Sequence, residues 1–238
     1  MRRATARVAS QYVNDAILLF DYDGTVRLGS EHATHYARLV AAELSPEDER
    51  AFLAAHAAFV AGKPTTASTF DAYDADNAVR RLAGEYGVAD AVRAAHYEAT
   101  RERMAAGDFA VSAPPGFAEF LWGLPRSVEV HLVTNAPEAT LEPVLDRLGL
   151  DGLFDRVVGD AAKPVGLERM LDELLEDRKP DRILSVGDIP VNDLVPAADR
   201  GCQTAYIDHY GRPWPRATAS GRTLEELYPF LHRWAHEG

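Results

Sequence analysis

Ile17-Leu18-Leu19-Phe20 is a continuous apolar run, and it leads directly into the acidic segment Asp21-Tyr22-Asp23-Gly24-Thr25. A short apolar run that ends at polar residues is typical of a strand buried on both faces in a parallel sheet. Similar runs recur at residues 128–133, 156–158, 183–186 and 204–207. Between the last four runs, apolar residues follow the spacing of amphipathic helices. The alternation predicts an α/β fold with a Rossmann-like parallel sheet flanked by helices.

The first two predicted strands are separated by a long segment of helical character. It contains no convincing strand pattern, and four helices are predicted, at residues 31–44, 45–62, 71–86 and 89–106. Ser45 followed by Pro46 and acidic residues is a typical helix start. We therefore expect an inserted all-helical domain over residues 30–112 and an α/β core over residues 16–29 and 113–238. Residues 1–15 form an N-terminal extension to which we assign no role.

The composition is that of a soluble globular protein. The chain has 238 residues, of which 47% are hydrophobic and 26% charged, and its formal net charge is −12. No apolar run approaches the roughly 20 residues that span a bilayer, and residues 1–16 lack the apolar stretch of a secretory signal, so we expect a cytoplasmic protein. The acidic surplus argues against binding to nucleic acid or to an anionic membrane. The single cysteine, Cys202, excludes an internal disulfide and a cysteine-based zinc cluster.

Polar residues follow four of the predicted strands at the point where each strand ends. Ligand sites in open parallel sheets lie beyond these carboxyl ends, so we expect the polar residues to meet at one edge of the sheet. In chain order they are Asp21 and Asp23, then Thr134 and Asn135, then Lys163, then Asp188, Asn192 and Asp193.

This set of residue types suits phosphoryl transfer. Asp21 and Asp23 are two residues apart in an extended segment, so both side chains lean the same way, and Asp188 would add a third negative charge. Such a cluster predicts a hard divalent cation such as Mg²⁺ among the carboxylate oxygens, and this cation would also neutralise an incoming phosphate. Lys163 supplies a positive charge and Thr134 a hydroxyl donor for phosphoryl oxygens.

Four motifs in this order resemble those of the haloacid dehalogenase superfamily. They are Asp21-x-Asp-Gly-Thr, Thr134-Asn, Lys163-Pro and Gly187-Asp-x-x-x-Asn-Asp. The helical insert is similar to that superfamily's C1-type cap, and the resemblance covers residues 17–208. Smaller features agree with it: Pro115-Gly116, Phe154-Asp155, Ala197 and Gly201. The resemblance points to the phosphatase branch that includes phosphoglycolate phosphatase and β-phosphoglucomutase.

The resemblance implies a role for each of the catalytic residues. Asp21 would be the nucleophile and would form an aspartyl-phosphate intermediate. Asp23 would protonate the leaving oxygen and then deprotonate the water that hydrolyses the intermediate. Thr134 and Lys163 would hold and neutralise the phosphoryl group, and Asn135 would assist them in binding the substrate.

It also implies a magnesium site. The side chains of Asp21 and Asp188 and the backbone carbonyl of Asp23 would bind Mg²⁺. Asn192 and Asp193 would support the metal or Lys163 without binding the metal directly.

The identity of Asp23 selects among the activities of the superfamily. An acid at this position is missing from the metal-free dehalogenases and the phosphonate-cleaving members, so Asp23 favours a phosphate ester as substrate. We therefore expect a Mg²⁺-dependent phosphatase that acts on a small phosphorylated metabolite. The alternatives are a sugar phosphomutase with the same motifs and a non-catalytic regulatory protein with a vestigial site.

Lys63 and the approach to Lys163 complete the set of sequence predictions. Lys63 lies between two predicted helices of the insert, where related enzymes place a substrate-specificity loop, so it would contact the leaving group; an ordinary surface lysine after a helix end is the alternative. The approach to Lys163 is short, because two alanines separate it from Asp160. Gly166 stands where a second proline is common. Both departures bear on how Lys163 is presented to the phosphate.

Overall fold

A computed structural model of the protein describes residues 16–237. These residues form two compact units. One unit contains the described chain up to Leu28 and from Val111 onward, and the other spans Gly29–Ala110. The predicted extension, residues 1–15, lies outside the described residues. Within the part of the chain that is described, no helix is both long enough and apolar enough to cross a membrane.

The first unit is built on a parallel sheet of six strands. The strands are β1 (Ala16–Phe20), β2 (Val128–Val133), β3 (Arg156–Val158), β4 (Ile183–Gly187), β5 (Gln203–Ile207) and β6 (Ala219–Gly221). Their order across the sheet is β3-β2-β1-β4-β5-β6, and all neighbours pair in parallel. The predicted α/β fold with a parallel sheet is confirmed.

The central position of β1 explains its apolar composition. β1 is paired on both sides, with Leu18 opposite Val130 of β2 and Leu184 of β4, and all five of its residues are buried. A strand covered on both faces carries no polar alternation, which is what the sequence showed.

The strand β6 is the element of the sheet that the sequence did not predict. It has the composition Ala-Ser-Gly and pairs with β5, with Ser220 opposite Tyr206. Three small residues form neither an apolar run nor an alternating pattern. The strand therefore depends on its pairing with β5 at the edge of the sheet and not on the strand propensity of its own residues.

Five helices pack around the sheet in the first unit. They are α6 (Phe117–Trp122), α7 (Leu141–Arg147), α8 (Val165–Leu174), α9 (Val195–Asp199) and α10 (Leu224–His236), numbered after the five helices of the second unit. α8 packs Leu167 and Leu171 against Ile17 and Leu19 of β1. Pro190–Leu194, between β4 and α9, is a single π-helical turn.

The second unit is all-helical and has five helices. They are α1 (Glu31–Ala41), α2 (Pro46–Val60), α3 (Ala67–Phe70), α4 (Ala75–Glu85) and α5 (Asp90–Ala106). Its largest cluster of buried side chains joins Tyr36, Phe52 and Leu82 from three of these helices.

The prediction of four helices in this segment is wrong in number. The short helix α3 was missed; it begins at a capping box in which Thr66 and Thr69 exchange hydrogen bonds. The helix predicted from residue 71 instead begins at Ala75, because the Asp74 side chain accepts a hydrogen bond from the backbone N–H of Asn77 and caps it there. Capping side chains fixed these boundaries where apolar spacing alone did not.

The short loop before Lys163 is tightly folded. Asp160 and Ala162 both have positive φ angles, of 46° and 51°. Such angles are less unfavourable for an aspartate than for an alanine, so the strain falls mainly on Ala162. The backbone N–H of Asp160 donates to the Ala136 carbonyl (2.9 Å), and that of Ala161 donates to the Thr134 carbonyl (2.9 Å). The loop is therefore held against the segment that follows β2.

Gly166 is required by the same loop. A Cβ atom at this position would overlap the carbonyl oxygen of Ala161. The two departures seen in the sequence, the short approach to Lys163 and the glycine in place of a second proline, are therefore parts of one structural feature. The close approach of the Ala161 carbonyl needs a residue without a side chain.

We predict that Gly166→Ala lowers the free energy of unfolding by about 1–3 kcal/mol, because the added methyl group must push the Ala161 carbonyl away. The matched control is Gly84→Ala in α4, where the nearest atom to the added Cβ is an Arg93 guanidinium nitrogen at 3.7 Å. This control should be neutral or gain up to about 1 kcal/mol. Urea unfolding followed by circular dichroism measures both, and equal effects of the two substitutions would contradict the packing argument.

Candidate active site

The carboxyl ends of the first four strands bring five of the predicted site residues to one edge of the sheet. Asp21 follows β1, Thr134 follows β2, Lys163 lies in the loop after β3, and Asp188 and Asp193 follow β4. All five residues are buried. Because these strands are parallel neighbours, their ends meet without any further folding of the chain.

Lys163 lies between two carboxylates. Its Nζ atom donates to Asp21 Oδ1 at 2.6 Å and to Asp193 Oδ1 at 2.7 Å. Burial alone would lower the pKa of Lys163, but the Asp193 and Asp21 carboxylates outweigh it and hold that pKa above its ordinary value. Lys163 is therefore positively charged at neutral pH.

The same burial acts in the opposite direction on Asp21. Removal from water raises the pKa of this carboxyl above its ordinary value, the Lys163 ammonium opposes that rise, and the Asp193 carboxylate adds to it. A second positive charge beside Asp21 would stabilise its ionised form.

Asp193 uses both of its carboxylate oxygens within the protein. Oδ1 accepts from Lys163, Oδ2 accepts from the backbone N–H of Ile189 (3.0 Å), and the Asp193 carbonyl accepts from the Ser185 hydroxyl (2.6 Å). Asp193 thus fixes the π-helical turn and the lysine together. The role predicted for Asp193, support of the metal or of Lys163 during catalysis, stays a prediction.

The oxygens of Asp21, Asp188 and Asp193 form the acidic cluster that fits a metal ion. One carboxylate oxygen from each residue lies within 4.8 Å of the others. Asp21 Oδ2 is buried and accepts no hydrogen bond from any residue that the structure describes. A buried carboxylate oxygen without a donor is costly, and a hard cation with oxygen ligands would satisfy it. Asp21 and Asp188 therefore offer carboxylate oxygens that fit Mg²⁺, whereas both oxygens of Asp193 already accept hydrogen bonds.

Gly24 lets the acidic turn approach Asp188 closely. Gly24 has a φ angle of +85°, and a Cβ atom there would overlap Asp188 Oδ2. His209, which follows β5, donates from Nε2 to the Gly24 carbonyl at 2.7 Å and lies 3.8 Å from Asp188 Oδ2. Sequence reasoning missed His209 because only four strand ends were inspected; the end of the fifth carries Asp208-His209 at the same edge.

Asn135 positions Lys163 through its backbone. The Asn135 Oδ1 atom accepts from the Lys163 N–H at 2.6 Å, and Nδ2 donates to the Lys163 carbonyl at 3.1 Å. The neighbouring Thr134 hydroxyl accepts from the Ala136 N–H at 3.0 Å. Contact of Thr134 and Asn135 with a substrate stays a prediction.

Asp23 is paired with a residue that the sequence analysis did not single out. Arg27 Nε and Nη2 both contact Asp23 Oδ1, at 2.8 Å and 2.6 Å. The Arg27 side chain is 2% exposed, whereas that of Asp23 is 28% exposed. An arginine within Thr25-Val26-Arg27-Leu28, four residues after an acid, was the available signal.

Two further predicted residues, Asn192 and Lys63, are described by their own surroundings. Asn192 is half-buried in the π-helical turn. Lys63 is exposed in the second unit, just after α2, where its N–H donates to the Ala58 carbonyl at 2.8 Å. The roles assigned to Asn192 and Lys63 stay predictions.

Comparison with solved structures supports the fold. The chain is similar to the magnesium-bound HAD-hydrolase YfnB from Bacillus subtilis, with a TM-score of 0.60 and 22% identity over 91% of this chain and 98% of that one. It is also similar to CbbY from Rhodobacter sphaeroides in complex with phosphate, with a TM-score of 0.61 and 18% identity over 89% and 96% of the two chains.

Comparison by sequence gives a curated relative and a family. The chain is 27% identical to pyrimidine 5'-nucleotidase YjjG from Escherichia coli over 121 residues, which is 48% of this chain and 53% of YjjG, so the match spans about half the length of that relative. Residues 16–200 match the haloacid dehalogenase-like hydrolase family. This match covers more than half of the chain and contains all four motifs, and the protein belongs to the haloacid dehalogenase-like hydrolases.

Proposed function

We propose that this hydrolase is a Mg²⁺-dependent phosphatase that cleaves a small phosphorylated metabolite through an aspartyl-phosphate at Asp21. The observation that carries the proposal is the buried Lys163 ammonium bonded to Asp21 and Asp193, beside a second oxygen of Asp21 that accepts no hydrogen bond from the described residues. This arrangement offers a fixed positive charge for a phosphate and a carboxylate nucleophile for attack on phosphorus.

The first half of the proposed reaction transfers the phosphoryl group to the enzyme. A carboxylate oxygen of Asp21 attacks phosphorus, and the bond between phosphorus and the leaving oxygen breaks. Asp23 gives its proton to that oxygen, so the alcohol leaves neutral. Lys163 Nζ, held between two carboxylates, offers positive charge to the phosphoryl oxygens.

The second half releases phosphate. Asp23 takes a proton from a water molecule, which attacks phosphorus and breaks its bond to Asp21. Inorganic phosphate leaves, and Asp21 and Asp23 return to their initial protonation states. Asp193 and Asn135 keep Lys163 in place throughout, through its ammonium and its backbone respectively.

Mg²⁺, when bound by Asp21, Asp188 and the Asp23 carbonyl, would supply charge neutralisation for the carboxylates and the incoming phosphate. The need for it follows from the local charges. Even with Asp23 protonated, three carboxylates oppose the two cations Lys163 and Arg27, so the site is negative before an anionic substrate arrives. The three are Asp21, Asp188 and Asp193.

The relatives support a phosphorylated substrate. YjjG is named as a pyrimidine 5'-nucleotidase, and the CbbY structure is a complex with phosphate. Asp23 supports an ester over a halogenated substrate because an acid at this position gives the leaving oxygen a proton donor. The net charge of −12 argues against a nucleic acid as the substrate.

We predict that Asp21→Asn reduces phosphate release by roughly 10³-fold or more, since the amide lacks the nucleophilic oxygen. The measurement is phosphate release in Mg²⁺ from a panel of phosphorylated sugars, nucleotides, amino acids and short acids. Asp146→Asn, an exposed residue of α7, is the matched control and should retain full activity. Full activity of Asp21→Asn would refute the mechanism, and isomerisation of a sugar phosphate without phosphate release would indicate a mutase.

Mg²⁺ binding is predicted to raise the melting temperature of the wild type. At 100 times the dissociation constant, binding to the folded state alone contributes about 2.7 kcal/mol. Asp188→Asn should lose most of this Mg²⁺-dependent increment while Asp146→Asn keeps it. Thermal unfolding is compared with and without MgCl₂ at matched ionic strength, and an equal increment in Asp188→Asn and the wild type would contradict the assigned site.

A further inference from the structure

The turn that carries Asp23 is closed by backbone hydrogen bonds to Arg27. The Tyr22 carbonyl accepts from the N–H groups of Val26 and Arg27, both at 2.8 Å, and the Gly24 N–H donates to the Arg27 carbonyl at 2.9 Å. Asp23 and Arg27 also form a parallel bridge. The Cα position of Arg27 is therefore fixed relative to that of Asp23.

The side chains of Arg27 and Asp23 are also in direct contact. Arg27 is almost fully buried, so its long stem has little freedom to move, and two of its guanidinium nitrogens converge on one oxygen, Asp23 Oδ1. An ion pair between exposed side chains is worth little because both must be ordered. Here burial already orders the Arg27 side chain, so the contact fixes the orientation of the partly exposed Asp23 carboxylate.

We propose that Arg27 is a positioning residue that holds the Asp23 carboxyl group in the orientation needed to exchange a proton with the leaving oxygen. The inference rests on the proposed phosphatase function, in which Asp23 is the acid and base. Arg27 does not touch the reacting atoms in this account; it acts through Asp23. A general acid must lie within hydrogen-bond reach of the atom it protonates, so a rotated carboxyl loses its effect.

If Arg27 has this role, the effect of its substitution on the reaction rate depends on the leaving group of the substrate. A 4-nitrophenolate leaves without needing a proton, whereas an alkoxide is strongly basic and needs one. Loss of the Asp23 orientation should therefore slow the cleavage of alkyl phosphates much more than that of 4-nitrophenyl phosphate. A loss of folded enzyme would slow both equally.

The experiment measures kcat/KM in Mg²⁺ for 4-nitrophenyl phosphate, phenyl phosphate and an alkyl phosphate, in the wild type, Arg27→Gln and Arg27→Lys. The quantity compared is the ratio of kcat/KM between substrates within one preparation, because the folded fraction cancels in it. We expect Arg27→Gln to lose about tenfold or more in the alkyl-to-nitrophenyl ratio, which is part of the roughly 10²–10⁴-fold that general acid catalysis supplies. Arg27→Lys, which keeps the charge, should recover part of it.

Repeating the Arg27→Gln substitution in an enzyme that already carries Asp23→Asn makes the test specific to Asp23. In Asp23→Asn the acid is absent, so Arg27→Gln should leave the ratio unchanged there. An unchanged ratio in both Arg27 variants of the otherwise wild-type enzyme would overturn the inference, as would an equal change in the Asp23→Asn background. If Arg27→Gln does not fold, Arg27→Lys carries the comparison.

Failure of this inference is distinguishable from failure of the proposed function. If the wild type releases phosphate from none of the three esters, the phosphatase proposal fails, and this inference fails with it. If the wild type cleaves all three and the ratio does not depend on Arg27, the inference alone is overturned.

Discussion

The Lys163 ammonium lies between two buried carboxylates, 2.6 Å from Asp21 Oδ1 and 2.7 Å from Asp193 Oδ1. Each of these charges would be costly to bury alone, and loss of one partner from such a group typically costs about 3–5 kcal/mol. Together they hold a cation and a carboxylate side by side at the edge of the sheet. The proposed chemistry depends on this charge balance, because it leaves Asp21 with one oxygen bonded and the other available.

Much of the surrounding structure keeps this lysine in place. The central strand β1, whose five residues are all buried, is followed directly by Asp21, and the turn after β4 contains Asp193. The Asn135 side chain forms hydrogen bonds with the backbone N–H and carbonyl of Lys163. The positive φ angle of Ala162 and the close approach of the Ala161 carbonyl to Gly166 determine the path of the short loop that leads to Lys163. Backbone strain of this kind persists where the surroundings overdetermine it.

The sequence predicted the sheet and the meeting of Asp21, Lys163, Asp188 and Asp193 because both follow from one rule. Apolar runs mark buried parallel strands, and residues after parallel strands share an edge. It did not predict β6 or α3, whose short and polar sequences lack a periodic signal. Arg27 and His209 were missed for a different reason. Only the polar residues after four strands were considered as site residues, whereas Arg27 lies four residues beyond Asp23 and His209 follows the fifth strand.

The covalent intermediate at Asp21 is the central claim, and chemical trapping tests it most directly. The enzyme is mixed with Mg²⁺ and a substrate that it turns over, quenched during turnover, and treated with borohydride, which reduces an aspartyl-phosphate to homoserine. Mass spectrometry of the peptide that contains Asp21 should then find homoserine at that position only when substrate was present. Phosphate release without homoserine at Asp21, or with homoserine at another aspartate, would contradict the account.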